Sequence, residues 1–411
     1  MNAEIINIGN ELLLGDTLNT NAQYLSQKLT ELAIQVNYHT TVSDDEEKLL
    51  QLLNISQQRS DIIILTGGLG PTPDDLTKET LTKFLNKKLI LHHPTLNKIK
   101  KYFQKIKFQM PSVNKKQAYF PENSIILENQ NGTAPGCIIE EQNRIFVVLP
   151  GPPRELIPMF ENVINFLKKK IKGPRLYVRQ LKCLGLGESA IAEKIKKFLN
   201  LTNPYIATYA KQDCILIKIM YRSESEKKAL PAINSFKKKI KKILGNIVFT
   251  DDDKNIEDVV AELLISKNET IAIAESCTGG LVTSKLVNYP GISKVLVEAV
   301  VVYSNISKIR RLGVKEKTII KHGAVSKQTA KEMALGIKNT ASADIGISIT
   351  GIAGPAGGSK TKPVGLVYFG LAIQNKVFTY KYIFNGNRQT IRQRAALTIL
   401  NILRLHLLEA N

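Results

Sequence analysis

The sequence predicts an α/β protein of two to three domains, in which strands and helices alternate along most of the chain. Short apolar, β-branched runs such as residues 61–65 and 270–273 indicate strands, and apolar residues at helical spacing follow them. Small-residue turns separate strands from helices, as is typical of parallel sheets covered by helices. A chain of 411 residues is long enough for each domain to bury its own core.

The composition is that of an ordinary globular protein, because hydrophobic residues make up 43% and charged residues 23% of the chain. No run approaches the roughly 18 apolar residues of a membrane span. Residues 1–6 read directly as a strand, without the basic stretch of a signal peptide. The four cysteines, at positions 137, 183, 214 and 277, form no CxxC pair. This argues against structural zinc and a disulfide framework, and we expect a cytoplasmic protein without membrane partners.

The net charge of +21 is a feature that nucleic-acid-binding proteins share. Most of it comes from lysines spread along predicted helices, as in residues 168–170 and 237–239. Aromatic residues are only 6%, and no RNP-type stacking motif is present. We therefore favour a generally lysine-rich composition, with nucleic-acid binding only non-specific if it occurs at all.

Residues 1–170 are predicted to form the first domain, with strands at 4–8, 34–38 and 61–65. The third run lacks polar alternation, so we expect it to be buried on both faces. Helices are predicted from the spacing of apolar positions 22, 25, 29 and 32, with Asn19 or Thr20 as cap, and over 45–56. A last helix over 153–170 begins with proline. Ligands of such sheets bind beyond the carboxyl ends of the strands.

Three turns lie there, at residues 9–16, 66–77 and 131–136. The second is the most informative, because its glycines let backbone N–H groups approach a phosphate. A carboxylate of Asp74 or Asp75 behind those glycines could hold a hard metal ion on that phosphate. The alternative, equally supported by spacing, is that the two aspartates only favour the N-terminus of the next helix.

Residues 171–250 are predicted to form a small α/β spacer, with strands at 178–184 and 214–221 and helices at 188–199 and 224–244. The Gly185-Leu186-Gly187 turn lacks the GxxG spacing of a KH clamp. A polar linker covers 250–255. The last domain, 256–411, is predicted to contain strands at 295–303 and 345–350, a helix at 328–339, a hairpin of 365–373 with 376–384, and a terminal helix at 388–408.

The turn at residues 274–280 connects the strand at 270–273 to a helix that begins at 281. A serine in such a turn can act as a nucleophile, and the N–H groups of the new helix suit an oxyanion. The alternative is that Ser276 or Thr278 only caps the helix.

These motifs resemble the competence/damage-inducible CinA family over essentially the whole chain. The resemblance rests on residues 9–15, 19–22, 66–77, 132–136, 149–155, 274–280, 303–305, 323–326 and 350–355. It implies a molybdopterin-binding (MoaB/MogA-like) three-layer domain, a KH-like middle domain and a C-terminal CinA amidase domain, in a homodimer.

The resemblance also implies two activities on small nucleotide substrates. The C-terminal domain would deamidate nicotinamide mononucleotide without a cofactor, and the N-terminal domain would hydrolyse ADP-ribose with a divalent metal ion. A Ser-His-Asp triad is not expected, because only His322 lies near the C-terminal motifs and no acid partner for it is evident. The alternatives are a pterin-binding protein and a non-enzymatic partner-binding protein of competence or DNA damage.

The residues of both sites follow from this resemblance. Ser276, Tyr303 and Lys308 would form the amidase set, with lysine as base if burial lowers its pKa, although spacing alone favours a solvated Lys308. Predicted substrate-binding residues of this domain are Glu275, Cys277, Thr278, Gly279, Gly280, Arg310, Arg311, Thr350, Gly351 and Gly354. In the first domain Asp75 would be catalytic, Asp75, Glu11 and Asp44 would hold the metal, and the substrate would contact Gly67, Gly68, Gly70, Thr72, Asp74, Gly132 and Thr133.

Overall fold

The computed structural model describes residues 1–171 and 173–409. Strands and helices interleave throughout, which confirms the predicted fold class. The chain forms two compact units, one of residues 1–177 with 221–230 and the other of the remaining described residues. The last two residues of the predicted third domain lie outside the described residues. No helix in the described ranges is long and apolar enough to cross a bilayer.

The N-terminal region alternates strands and helices as predicted. Its elements are β1 (Asn2–Ile8), α1 (Asn10–Leu13), α2 (Thr20–Glu31), β2 (Gln35–Val42), α3 (Glu46–Arg59), β3 (Ile62–Thr66), α4 (Thr77–Phe84), β4 (Leu89–Leu91), α5 (His93–Lys105), β5 (Tyr119–Pro121), β6 (Ile125–Leu127), β7 (Gly136–Glu141), β8 (Arg144–Leu149) and α6 (Pro153–Lys170). Six strands form one sheet in the order β2-β1-β3-β8-β7-β6.

This sheet is the middle of three layers. Apolar residues of α2 and α6 pack on one face, and those of α3 and α4 pack on the other. All five residues of β3 are buried, as predicted. The expectation of a parallel sheet is wrong for β7, which pairs antiparallel with both of its neighbours, β8 and β6. The two-residue connection between β7 and β8 is too short for the crossover that parallel strands need.

The middle region contains β9 (Arg175–Cys183), α7 (Glu188–Leu199), β10 (Tyr205–Ala210), β11 (Ile215–Ser223), α8 (Glu226–Leu244) and β12 (Val248–Thr250). The sheet order is β10-β11-β9-β12. The two helices pack against each other through Phe198 and Phe236, whose ring centroids are 5.9 Å apart.

The C-terminal region contains α9 (Ile256–Lys267), β13 (Ile271–Glu275), α10 (Leu281–Val287), β14 (Leu296–Val301), α11 (Asn305–Leu312), α12 (Glu316–His322), α13 (Lys327–Thr340), β15 (Ile345–Gly351), β16 (Leu366–Ile373), β17 (Lys376–Ile383) and α14 (Arg388–Glu409). The sheet order is β14-β13-β15-β16-β17. The predicted hairpin of β16 and β17 is confirmed. Strands β14, β13 and β15 are parallel, so their carboxyl ends meet at one edge.

Two candidate active sites

At that edge Ser276 and Lys308 are in direct contact. Ser276 follows the last residue of β13 and is only 8% exposed. Lys308 lies on α11 and is 1% exposed. Its Nζ is 3.1 Å from Ser276 Oγ, 2.8 Å from the carbonyl oxygen of Val302 and 3.0 Å from that of Tyr303. The structure thus brings together the predicted nucleophile and the predicted base.

The three partners of the Lys308 amine are uncharged, and burial lowers its pKa to about 8. A neutral amine has two N–H donors and one lone pair. The carbonyls of Val302 and Tyr303 accept the two hydrogens, which leaves the lone pair to accept the hydrogen of the Ser276 hydroxyl. The geometry therefore suits a neutral lysine that takes a proton from serine.

The turn before α10 is capped by Glu275 rather than by a hydroxyl. The Glu275 carboxylate is fully buried and accepts hydrogen bonds from the backbone N–H groups of Gly280, Val282 and Thr283 and from the Thr283 hydroxyl, at 2.7–3.3 Å. The interpretation of Ser276 or Thr278 as the cap is therefore wrong. The Glu275 oxygens have their partners inside the protein, and the expectation that Glu275 binds substrate stays a prediction.

Ser276 opens onto a cavity of about 270 Å³. Its described lining residues are Ser276, Cys277, Tyr303, Lys308, Ala324, Val325, Thr350, Gly351, Ile352, Ala353, Gly354, Ala356, Gly357 and Arg388. Of the residues predicted from sequence to bind substrate here, the cavity thus includes Cys277, Thr350, Gly351 and Gly354.

Five other predicted substrate-binding residues lie outside this lining. Thr278 is fully buried and its carbonyl accepts from Arg392, while Gly279 and Gly280 continue the capped turn. Arg310 and Arg311 are exposed, and Arg311 pairs with Glu298 at 2.7 Å. Since a helix turns about 100° per residue, Arg310, two positions after the inward-facing Lys308, points to the opposite side of α11.

Tyr303 and Arg388 form the outer part of the cavity. The Tyr303 side chain is exposed, and its hydroxyl accepts a hydrogen bond from Arg388 at 3.1 Å, while Lys308 contacts only the Tyr303 backbone. Arg388 also donates to the Gly354 carbonyl at 2.7 Å. The sequence-based prediction missed Arg388, because it begins the terminal helix and no motif spacing links it to Ser276.

Cys277 is the other nucleophilic side chain in this cavity. Burial raises the pKa of its thiol to about 12, so it remains protonated near neutral pH. The thiolate is the reactive form of cysteine, and the site therefore favours the Ser276 hydroxyl as nucleophile.

A second, larger cavity of about 700 Å³ lies at the carboxyl ends of β1, β3 and β8. Gly67 adopts a φ of +107°, and a Cβ there would clash with the carbonyl oxygen of Ile8. Only glycine therefore lets this loop run so close to the end of β1. The lining includes the predicted residues Gly67, Gly68, Gly70, Asp74, Asp75, Gly132, Thr133, Glu11 and Asp44, but Thr72 lies outside it.

The carboxylates of this cavity already have some protein partners. Asp75 accepts hydrogen bonds from the backbone N–H of Thr72, at 2.9 Å, and from the Thr72 hydroxyl. Asp44 accepts from the Asn10 N–H at 2.9 Å. Across the described residues, no three His, Cys, Asp or Glu side chains are placed to hold a metal ion alone. The donors suit a hard cation that also binds substrate phosphates, not an all-protein cage.

Comparison with known proteins places the chain among its relatives. Three family models match it: the CinA C-terminal domain over residues 253–407, the probable molybdopterin binding domain over 4–169, and the damage-inducible protein CinA KH domain over 178–250. A putative competence-damage inducible protein of Clostridium tetani is 50% identical over 99% of this chain and 100% of the relative. A CinA-like protein of Kosmotoga olearia is 49% identical over 99% of both.

Two solved structures each cover about two fifths of this chain. The protein CinA from Thermoplasma acidophilum is 33% identical, covers 40% of this chain and 97% of that chain, and gives a TM-score of 0.38. A CinA superfamily protein from Klebsiella pneumoniae is 32% identical, covers 38% and 96%, and gives a TM-score of 0.37.

Proposed function

The chain belongs to the CinA family, and from this premise we propose that it is a bifunctional enzyme of pyridine-nucleotide recycling. The C-terminal site would hydrolyse the amide of nicotinamide mononucleotide to nicotinate mononucleotide and ammonia. The N-terminal site would hydrolyse ADP-ribose to AMP and ribose 5-phosphate. The observation that carries the proposal is the buried Lys308 amine, 3.1 Å from the Ser276 hydroxyl.

In the C-terminal site, neutral Lys308 takes the proton of Ser276 as Oγ attacks the amide carbon. The same lysine then returns that proton to the leaving nitrogen, and ammonia departs as the C–N bond breaks. The acyl-serine that remains is hydrolysed when Lys308 takes a proton from water and gives it back to Ser276 Oγ. Each step uses the one lone pair that the two backbone carbonyls leave free.

The developing oxyanion needs backbone N–H donors that are free of other hydrogen-bond partners. Of the four N–H groups at residues 277–280, that of Gly279 donates to the Ser276 carbonyl and that of Gly280 to Glu275. Of the other two residues only Cys277 lines the cavity, and its N–H group is therefore our candidate. Arg388, at the outer end of the cavity, is our candidate for the substrate phosphate, a role that suits a guanidinium.

In the N-terminal site, water would attack one phosphorus of the pyrophosphate and the bridging P–O bond would break. The N–H groups of the loop at Gly67–Gly70 would orient the phosphates, and a carboxylate of the cavity would accept the proton of water. A divalent ion bound there by the phosphates together with one or two of the carboxylates of Asp75, Glu11 and Asp44 would supply charge neutralisation and a more acidic water.

The test is to incubate each variant with both substrates and to score ammonia and AMP separately. We expect Ser276→Ala to lose ammonia release, to roughly 1% of wild type or less, because a missing nucleophile leaves only binding and oxyanion effects. AMP release should persist in this variant. Asp75→Asn and chelation should each suppress AMP release and leave ammonia release unchanged. Ser284→Ala, an exposed serine on α10, is the matched control.

Two outcomes would contradict the proposal. Ammonia release by Ser276→Ala near the wild-type rate would exclude this serine as nucleophile. A wild-type chain that releases neither product would favour the alternatives, and pterin retained on purification would then distinguish a pterin-binding protein from a partner-binding one.

A further inference from the structure

Beside the N-terminal active-site cavity lies a second cavity of about 270 Å³. The two cavities share Tyr102, Gly132 and Thr133 in their linings. At Gly132 the Glu155 carboxylate occupies the place that a Cβ would take, so no side chain can project from this wall. The two cavities are therefore adjacent, and a ligand that is longer than the first cavity can extend towards the second.

One face of α5 lines this second cavity. Lys101 and Tyr102 each lie three or four residues from both Lys98 and Lys105, so the four residues share one side of the helix. Ile99 and Pro135 form an apolar part of the cavity wall. Tyr102 remains 44% exposed, so its ring has a free surface against which a flat group can pack.

The charge of the second cavity favours an anionic ligand. Lys98 is paired with Glu128. Within residues 1–171 and 173–409, Lys101 and Lys105 have no carboxylate partner within 4.0 Å. The acidic side chains Glu11, Asp44 and Asp75 line only the first cavity. The two cavities thus differ in charge, because carboxylates and no lysine line the first, whereas three lysines and one carboxylate, Glu128, line the second; Tyr102 borders both.

We propose that the second cavity is the nucleobase subsite of the N-terminal active site. The base stacks on Tyr102, and Lys101 and Lys105 stabilise the negative charge of the attached phosphate. The subsite thereby fixes the direction of the bound substrate, with the pyrophosphate at the glycine loop and the nucleoside extending towards α5. The proposal rests on the proposed nucleotide hydrolysis, but binding of the nucleotide can be measured without turnover.

The experiment is calorimetric titration of the full chain with AMP, which has a base, and with ribose 5-phosphate, which has none. We expect Tyr102→Ala to weaken AMP binding about tenfold, the size of one base–aromatic stacking contact. Tyr102→Phe, which keeps the ring, should stay within about twofold. Binding of ribose 5-phosphate should not change in either variant, since the affected contact is to the base.

The lysines are tested in the same assay. Lys101→Ala and Lys105→Ala should each weaken AMP binding and reduce its salt dependence, because they remove charge beside the phosphate. Lys100→Ala, an exposed lysine of the same helix outside both cavities, is the control. Each variant is also assayed for ADP-ribose hydrolysis, where Tyr102→Ala should raise KM more than it lowers kcat.

Three results would overturn the subsite: unchanged AMP binding in Tyr102→Ala, equal loss of AMP and ribose 5-phosphate binding in that variant, or a wild-type chain that binds neither compound. If AMP binds with the expected dependence on Tyr102 but ADP-ribose is not cleaved, the subsite stands and the proposed hydrolysis fails.

Discussion

Lys308 carries the pH dependence of the proposed amidase, because a buried lysine can act as base only in its neutral form. Burial lowers the pKa of its amine to about 8, so kcat/KM for ammonia release should rise as pH increases through this value and then level off. Lys308→Arg should abolish the activity, since a guanidinium does not lose its proton. The measurement is the pH profile of kcat/KM between pH 6 and 10.

The control for this prediction is Lys317→Arg, an exposed lysine of α12, which should keep the wild-type profile. An activity that is flat from pH 6 to 9, or an active Lys308→Arg enzyme, would show that another group accepts the proton.

The sequence could predict that Ser276 and Lys308 belong to one site, but not the burial and hydrogen bonds that fix their positions. Spacing alone favours a solvated Lys308, because nothing in α11 shows that this position faces inward. Its burial comes from the end of β14, where the chain leaves the sheet and turns the carbonyls of Val302 and Tyr303 towards the amine. The position of Arg388 depends on tertiary contacts. Glu275 caps groups five to eight residues further along the chain, outside the usual N-cap spacing, so no standard pattern marks it.

At the scale of elements, α10 depends on Glu275. Its carboxylate accepts four hydrogen bonds at the start of this helix and complements the positive end of the helix dipole. Glu275→Gln places an amide against N–H donors and should lower the free energy of unfolding by about 1–3 kcal/mol. It should also lower kcat for ammonia release, because the turn that carries Ser276 loses its anchor.

Denaturant unfolding and steady-state kinetics of Glu275→Gln check both effects. Glu316→Gln, which removes an exposed charge at the start of α12, should lower the free energy of unfolding by less than about 1 kcal/mol and leave kcat unchanged. A Glu275→Gln variant with wild-type stability but a raised KM would instead support the original expectation that Glu275 binds substrate.

A buried lysine also connects two elements of the N-terminal region. Lys78 of α4 is 2% exposed, donates to the Gln117 carbonyl at 2.8 Å, and lies 4.4 Å from the centroid of the Phe120 ring. Burial lowers the pKa of its amine from 10.5 to about 8. Between these values the unfolded chain binds more protons than the folded chain, so this group makes stability rise with increasing pH.

We therefore expect the stability of wild type relative to Lys78→Met to increase between pH 8 and 10.5, on the order of 2–3 kcal/mol. Urea unfolding at several pH values measures this difference. Lys88→Met, at an exposed position, should show no such trend relative to wild type. A wild-type advantage that falls with pH would mean that the Lys78 amine is charged and stabilised in the folded protein.

Uninterrupted apolar runs and helical periodicity made several elements predictable, whereas the shortest strands were not predictable. The predicted helix at 188–199 and the strand at 61–65 agree with the structure to within one residue. Strands β4, β5 and β6 have three residues each, too few for a period to show. The antiparallel direction of β7 depends on a turn at residues 142–143, where both residues have positive φ, which is unusual for side chains other than glycine.

At the scale of the whole molecule, the positive charge and the tyrosines of the middle region bear on nucleic-acid binding. Tyr205 and Tyr209 on β10 are 51% and 40% exposed. They point away from the side on which Thr208 bonds Glu188 of α7. The two tyrosines are four residue steps apart along the strand, a distance of about 13 Å. The Lys218 amine already lies 5.7 Å from the Tyr209 ring centroid. This arrangement is poorly suited to stacking consecutive bases.

We therefore expect single-stranded DNA to bind only through charge. A net charge of +21 should give binding that weakens steeply with salt, because lysine contacts to phosphate release counterions. Binding should fade towards about 0.15 M salt, where screening acts over roughly 8 Å, with no preferred sequence. Tyr205→Ala with Tyr209→Ala should then bind like wild type in a competition assay across this salt range. Sub-micromolar affinity that persists at 0.15 M salt, prefers one sequence and falls in the tyrosine variant would show that stacking on β10 makes the middle region a nucleic-acid module.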